Sequence, residues 1–323
     1  MLVYRTFFSS TKILQITICM LLIFSGFLQA SLFDSMKSWF GIYSFEEVIY
    51  KEYTIQPGAP CALTFSQEMV GSAVITGWDK NVVAITATKK AGLEDNLRIC
   101  EFITEHNAGA TSVSTGYVKG ETVPYITSAC IFDIEIFVPY TTTVTVDSIS
   151  NITIQNINAE VHVETTSGTV KAHNIDGTFI ASVEQKGPII LEDMHGTVDV
   201  STASGDIFVE NSYKGIRART YYGTIKVVCA QVPHNSTIDL ETQSHGIIEL
   251  ALPEGTQATI AGTTEHGRIL STIPITLARR TTVLTKRAYK KIPKRMKGII
   301  GESGQAKIKL VSTQGIRITS RAH

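Results

Sequence analysis

Nine basic side chains crowd one short stretch near the C-terminus: Arg279, Arg280, Lys286, Arg287, Lys290, Lys291, Lys294, Arg295 and Lys297, with no acidic residue among them. A local field of this kind holds phosphate-rich polymers, anionic lipid head groups or acidic proteins. The simpler alternative is a solvated inserted loop. Tyr289 is the one aromatic residue in the stretch, so the stacking platform of a single-stranded nucleic-acid binder is missing. The expected partners are anionic envelope polymers, glycans or surface proteins, and not nucleic acid.

A second candidate is the adjacent pair Tyr221 and Tyr222, which offers an aromatic face to a glycan or a protein, or packs along an edge of the fold. His245 and His266 precede Gly246 and Gly267 in matching turns. If those turns stack directly, two imidazoles meet and bind a metal or respond to pH. Glu265 is the sole candidate for a further ligand, and two exposed histidines are the simpler expectation, so no metal and no cofactor is assigned. Polysaccharide lyases and hydrolases need grouped carboxylates. Alternation turns Glu160, Asp199, Asp239 and Glu249 outward, yet no column is expected to collect two or three of them. Glu192 and Asp193 lie in a turn. The chain carries no Ser-His-Asp order, phosphate loop or zinc helix, and no catalytic residue is assigned.

Four cysteines follow the N-terminal segment: Cys61, Cys100, Cys130 and Cys229. An even number permits disulfides in an exported chain, and no pair has metal-ligand spacing. Cys100 and Cys130 lie in strand-like runs near each other and are the first candidates for a pair. Four buried thiols are the alternative.

The elements that position these residues repeat. Gly168, Gly187, Gly205, Gly223, Gly246 and Gly267 each open a short apolar alternation, at spacings of 19, 18, 18, 23 and 21 residues. Two positions on stand Val170, Ile189, Ile207, Ile225, Ile248 and Ile269; two further on stand Ala172, Leu191, Val209, Val227, Leu250 and Ser271. A second series, Val161, Phe179, Val198, Ile216 and Ile238, runs between them. Alternation with β-branched residues marks strands with one buried face, and a helix is excluded because the spacing is two. A fixed period implies copies that stack and shield one another. The expected fold is all-β: a single-stranded, β-helix-like β-solenoid with coils of about 19 residues. The glycines serve tight corners that need positive φ or an approach without a side chain. Residues 45–150 read as a less regular N-terminal β-layer that runs into the solenoid of 151–320, with 278–301 as the basic insertion. Within the layer, 91–125 reads as loops or a loose hairpin.

The motifs Pro57-Gly58, Val74-Ile75-Thr76-Gly77-Trp78-Asp79 and Ile134-Glu135-Ile136-Phe137-Val138-Pro139 come in that order. They are followed by Ser204-Gly205-Asp206-Ile207, Leu252-Pro253-Glu254-Gly255, Gly267-Arg268-Ile269 and Thr313-Gln314-Gly315-Ile316-Arg317-Ile318. In this order the chain resembles, over about residues 45–320, a widespread bacterial family of unknown function that carries the name putative adhesin. The resemblance implies a β-solenoid at the cell envelope and no catalytic residue. The basic stretch departs from the family pattern.

Residues 1–30 have the order of a secretory signal: Arg5 and Lys12, an apolar run from Ile13 to Leu28, then Gln29-Ala30. The run of about sixteen residues is short for a membrane span, so contact with a membrane is expected only through an uncleaved signal. Residues 31–44 connect it to the β-layer. The 29 basic and 29 acidic residues balance, so any electrostatic partner must be met by a local cluster. The reading is an exported envelope or surface module, structural or adhesive, without catalysis. A polysaccharide-active solenoid enzyme and an envelope-stress sensor are the alternatives.

Overall fold

A computed structural model describes residues 45–120, 130–278 and 294–321. Residues 1–30, read above as a signal, residues 31–44 and the basic residues Arg279 to Lys291 lie outside the described residues. Among the described residues no helix is long and apolar enough to cross a membrane.

The N-terminal strands are β1 (Phe45–Thr54), β2 (Ala62–Gln67), β3 (Gly71–Trp78) and β4 (Val82–Ala91). After the short helix α1 (Glu94–Ile99) come β5 (Cys100–Asn107), β6 (Ala110–Tyr117) and β7 (Cys130–Pro139). The repeat region supplies β8 (Thr143–Ser148), β9 (Asn151–Ile157), β10 (Val161–Ser167), β11 (Val170–Ile175), β12 (Phe179–Lys186) and β13 (Ile189–Met194). It continues with β14 (Val198–Ser204), β15 (Ile207–Ser212), β16 (Ile216–Tyr222), β17 (Ile225–Cys229), β18 (Thr237–Ser244) and β19 (Ile247–Leu252). The chain closes with β20 (Ala258–Thr264), β21 (Ile269–Ser271), β22 (Ile275–Leu277), β23 (Lys294–Ile300), β24 (Ala306–Ser312) and β25 (Gly315–Ser320).

The even-numbered strands from β8 to β18 join one parallel sheet and the odd-numbered strands from β9 to β19 another. Each coil is thus one strand from each sheet and two corners. The columns meet in register: Val198 lies between Phe179 and Ile216, and Ile207 between Ile189 and Ile225. All are buried, as are Val170, Leu191, Val209, Val227 and Leu250. The columns fray only at the last coil, where Ile269 is half-buried and Ser271 exposed rather than covered. Among the described residues no further coil shields them.

Close stacking explains the glycines. A Cβ at Gly187 would overlap the backbone of Gly168, one at Gly205 that of Gly187, and one at Gly246 that of Gly223. Most of these glycines do not have positive φ, so the corner needs the absence of a side chain more than a left-handed backbone. The opposite corner uses left-handed Asn156, Asn174, Asp193 and Asn211, with φ of 59°, 53°, 52° and 56°. Asn and Asp tolerate that region because the short side chain bonds locally. Here it bonds along the stack, Asn174 Nδ2 to Asn156 Oδ1 at 2.9 Å and Asn211 Nδ2 to Asp193 Oδ1 at 2.8 Å. Buried hydroxyls also close the glycine corner: Thr202 and Thr220 donate to the carbonyls of Gly187 and Gly205, each at 3.0 Å.

Both ends of the stack depart from sequence order. The coil β24–β25 lies between β18–β19 and β20–β21, pairing in parallel with each. At the other end β2–β3 lies between β6–β7 and β8–β9, again all parallel. Residues Ile316 to Ile318 of β25 are therefore held on both sides. Antiparallel strands finish the ends: β4 and then β1 beyond β7, β5 beyond β6, and β23 and then β22 beyond β20. Such strands occupy edges that would otherwise recruit another chain.

Residues 91–120 are more ordered than their polarity suggests. Helix α1 leads into a hairpin of β5 and β6, turned by left-handed Ala108 and Gly109. The four cysteines stand as buried thiols.

Candidate functional site

The outer face of the β20 end of the stack is built from three strands. Burial alternates along β20, so Ala258, Ile260 and Gly262 face the core and the small Thr259, Ala261 and Thr263 face out. On one side β24 turns Lys307 and Lys309 outward. On the other, β23 turns out Arg295, Lys297 and Ile299. Ala261 stands in register with both Lys309 and Lys297, Thr259 with Lys307, and Thr263 with Arg295. With strands about 4.8 Å apart, two cationic rows flank a floor of small side chains at a separation of about 10 Å.

Among the described residues Arg295, Lys297 and Lys307 make no ion pair, and all three are exposed. Lys309 leans toward the neighbouring strand, with its Nζ 3.3 Å from Asp239 Oδ1. That contact is ionic and lacks hydrogen-bond geometry, since the same oxygen has no hydrogen-bond partner. Asp239 also draws Arg219 to 3.8 Å. Further down the sheet the charges alternate and cancel. Arg217 bonds Asp199 at 3.2 Å, and Arg219 lies 3.7 Å from Glu241. The uncompensated positive charge of this face thus collects at the β20 end.

The basic stretch divides here. Arg279, Arg280, Lys286, Arg287, Lys290 and Lys291 lie outside the described residues. Lys294 and Arg295 open β23 on opposite faces. Lys294 donates to the Gly267 carbonyl at 2.7 Å and braces a corner, whereas Arg295 joins the outer trough. Lys307 and Lys309 escaped the sequence reading. The alternation Lys307-Ile308-Lys309-Leu310 signals two outward cations, but nothing in the sequence sets them beside Lys297.

The carboxylates correct one expectation. Asp199 and Asp239 do share a column, on β14 and β18 in register with Arg217 on the strand between. An intervening guanidinium bonded to one of them leaves an ion-pair ladder and not an acid–base pair. Two shallow clefts, of about 330 and 270 Å³, share the Pro253–Thr256 turn, and each has Glu254 as its only carboxylate.

The histidines also separate. The corner of β24–β25 intervenes, for Gln314 N donates to the Gly246 carbonyl at 3.3 Å and His266 N donates to the Thr313 carbonyl at 2.9 Å. His245 stacks instead on Tyr222, with centroids 6.4 Å apart, and Tyr222 meets Tyr221 edge-on at 4.6 Å. Both tyrosines are exposed, and Tyr221 lies on the outer face of the sheet that carries the trough.

No family model matches the chain, and no curated protein matches it. Among solved structures it is similar to a Bacteroides fragilis protein described as a putative adhesin. Identity is 12%, coverage is 85% of this chain and 97% of that one, and the TM-score is 0.42. A Parabacteroides distasonis protein described as a putative lipid binding protein is 11% identical, with 84% and 96% covered and a TM-score of 0.39. A Clostridium sporogenes protein described as a putative cell adhesion protein is 11% identical, with 85% and 100% covered and a TM-score of 0.25. At these scores the likenesses carry no argument about what this chain binds.

Proposed function

We propose that the chain is an exported, non-enzymatic binding module that holds a linear anionic polymer of the cell envelope or surface against the β20 end of its larger sheet. The observation that carries this reading is the trough: Arg295, Lys297, Lys307 and Lys309 in register around Thr259, Ala261 and Thr263. Along each strand the cations recur at about 6.8 Å, two residues apart. A chain with an anionic group in each repeat unit meets several of them at once, where a single small anion meets one. The small floor lets the polymer approach closely, and the stacked backbone holds the rows rigid before the ligand arrives, which lowers the ordering cost of binding. Tyr221 lies outside the trough, three strands from β20 on the same sheet. The charged, apolar and small order of residues 1–30 supports export.

The test is binding of labelled polygalacturonate, followed by fluorescence anisotropy at low and at raised salt. Dextran serves as the neutral control. The wild-type chain binds the polyanion and loses affinity with salt, because exposed charges are screened. Lys297→Gln/Lys307→Gln lowers the affinity about tenfold, the equivalent of about 0.7 kcal/mol for each charge. Lys171→Gln/Lys226→Gln removes the same charge from the other sheet and leaves affinity unchanged. Equal losses in the two variants, or equal binding to dextran, overturn the proposal.

A further inference from the structure

Two of the four cysteines meet across the interior. Cys100 opens β5 in the larger sheet and Cys130 opens β7 in the other, so the pair faces between sheets that share no backbone hydrogen bonds at that point. Their thiols face each other, and two residues on from each the rings of Phe102 and Phe132 stack across the same gap with centroids 6.4 Å apart. Cys130 Sγ also lies 3.1 Å from the Asn96 carbonyl oxygen of α1, a second acceptor for its single proton. The strands beside them are fixed by register, Cys130 against Ala91 and Cys100 against Tyr117. A buried lysine completes the setting. Lys89 Nζ donates to the Cys100 carbonyl at 3.0 Å and is held by Glu47 at 2.9 Å.

We propose that Cys100 and Cys130 are a disulfide-forming pair that covalently ties the two sheets at the β1 end of the stack. The oxidant is a small-molecule or protein disulfide of the exporting compartment. The Cys100 thiolate attacks one oxidant sulfur, forms a mixed disulfide and releases one oxidant thiolate, which takes the Cys130 proton. The Cys130 thiolate then attacks the Cys100 sulfur and expels the second oxidant thiolate, which takes from solvent the proton that Cys100 gave up on ionising. Two protein thiols are oxidised, and one oxidant disulfide is reduced to two thiols.

The roles follow from the surroundings. The hydrogen bond from Cys130, helped by the charge of Lys89, holds the Cys100 thiol below its ordinary range although burial opposes this. The same contact, with burial, pushes Cys130 up. Cys100 is therefore the attacking group and Cys130 the resolving one. Both are buried in the finished fold, so exchange takes place in a near-native opening that admits the oxidant and keeps the contact between the two cysteines. Cys229 ends β17, many strands away in the stack, and Cys61 lies before β2, at the opposite end of β6 from Cys100.

The full chain, refolded in a mixture of reduced and oxidised glutathione and then denatured and alkylated, tests this by mass spectrometry. The expected product carries label on Cys61 and Cys229 and yields one cross-linked peptide joining Cys100 to Cys130. Label on all four cysteines, or a bridge that uses Cys61 or Cys229, overturns the proposal. Reductant should lower the thermal midpoint of the oxidised wild type by about 5 °C or more. The variant Cys100→Ala/Cys130→Ala should show no response to reductant. An equal response in both also overturns it, and if the variant does not fold the mass readout decides alone.

Discussion

The substitution Gly205→Ala probes the stack at its tightest place. The added Cβ would stand 2.6 Å from the Gly187 carbonyl carbon and 3.0 Å from Pro188 N, and nearer still to the Gly187 carbonyl oxygen. Ordinary contact begins at 3.4 Å, so the corner must open by more than about 0.8 Å, the carbonyl oxygen being nearer than the carbon, in an interior packed without slack. Three bonds cross that corner: Gly187 N to Ser204 O at 2.9 Å, Gly205 N to Tyr222 O at 2.9 Å, and Thr202 Oγ1 to Gly187 O at 3.0 Å. Overpacking costs about 1–3 kcal/mol, and loosened hydrogen bonds add about 1 kcal/mol, so the total is about 2–4 kcal/mol. Gly116→Ala is the matched control. Its Cβ would meet only Glu68 Oε2, at 3.8 Å, and the cost should stay within about 0.5 kcal/mol. Urea unfolding followed by circular dichroism measures both. If the two variants unfold at the same midpoint, the coils do not stack through their glycines.

Ile207→Asn places an amide in a fully buried column and should cost about 3 kcal/mol, read from the same unfolding curves. Asp206→Asn should cost less than about 0.5 kcal/mol. Asp206 Oδ1 accepts from Thr224 N at 2.8 Å, and Asn151 already makes the same bond to Thr169 N with its amide oxygen. Asp133 titrates low, because hydrogen bonds from Lys90 and Ser72 outweigh the opposing effect of burial. Its folded pKa lies below the ordinary 3.8, so its stabilisation is complete above that pH and is lost as pH falls through the folded value. The stability gap between wild type and Asp133→Asn, below about 1 kcal/mol because the pair is partly exposed, should therefore narrow between pH 5 and pH 2.

The buried columns were legible because alternation and period act together. A residue such as Ile225 has one place to go when every coil brings a β-branched side chain to the same depth. The order of the coils was not legible. Gly315-Ile316-Arg317-Ile318 carries the same corner and the same alternation as Gly267-Arg268-Ile269, so local pattern cannot choose which of them follows Gly246-Ile247-Ile248. That ambiguity separates His245 from His266. It also hides the trough, whose two cationic strands, β23 and β24, are neighbours in the chain but are held apart by β20. The asparagine corner left a signal that went unread: Asn156-Ile157, Asn174-Ile175, Asp193-Met194 and Asn211-Ser212 repeat at the solenoid period. Lys294 and Arg295 look alike in sequence and differ only because a strand sends neighbours to opposite faces.

The trough exists only if the last coil of the chain lies between the two that precede it. Spin labels at Thr263, Val311 and Glu241, taken in pairs, measure this directly by dipolar broadening, with the buried native thiols left unlabelled. Val311 is in register with both Thr263 and Glu241. The 263/311 pair, one strand spacing of about 4.8 Å apart, should broaden more strongly than 263/241, two spacings apart. Stronger broadening for 263/241 would mean that the coils stack in sequence order, and the two cationic rows would no longer flank one floor.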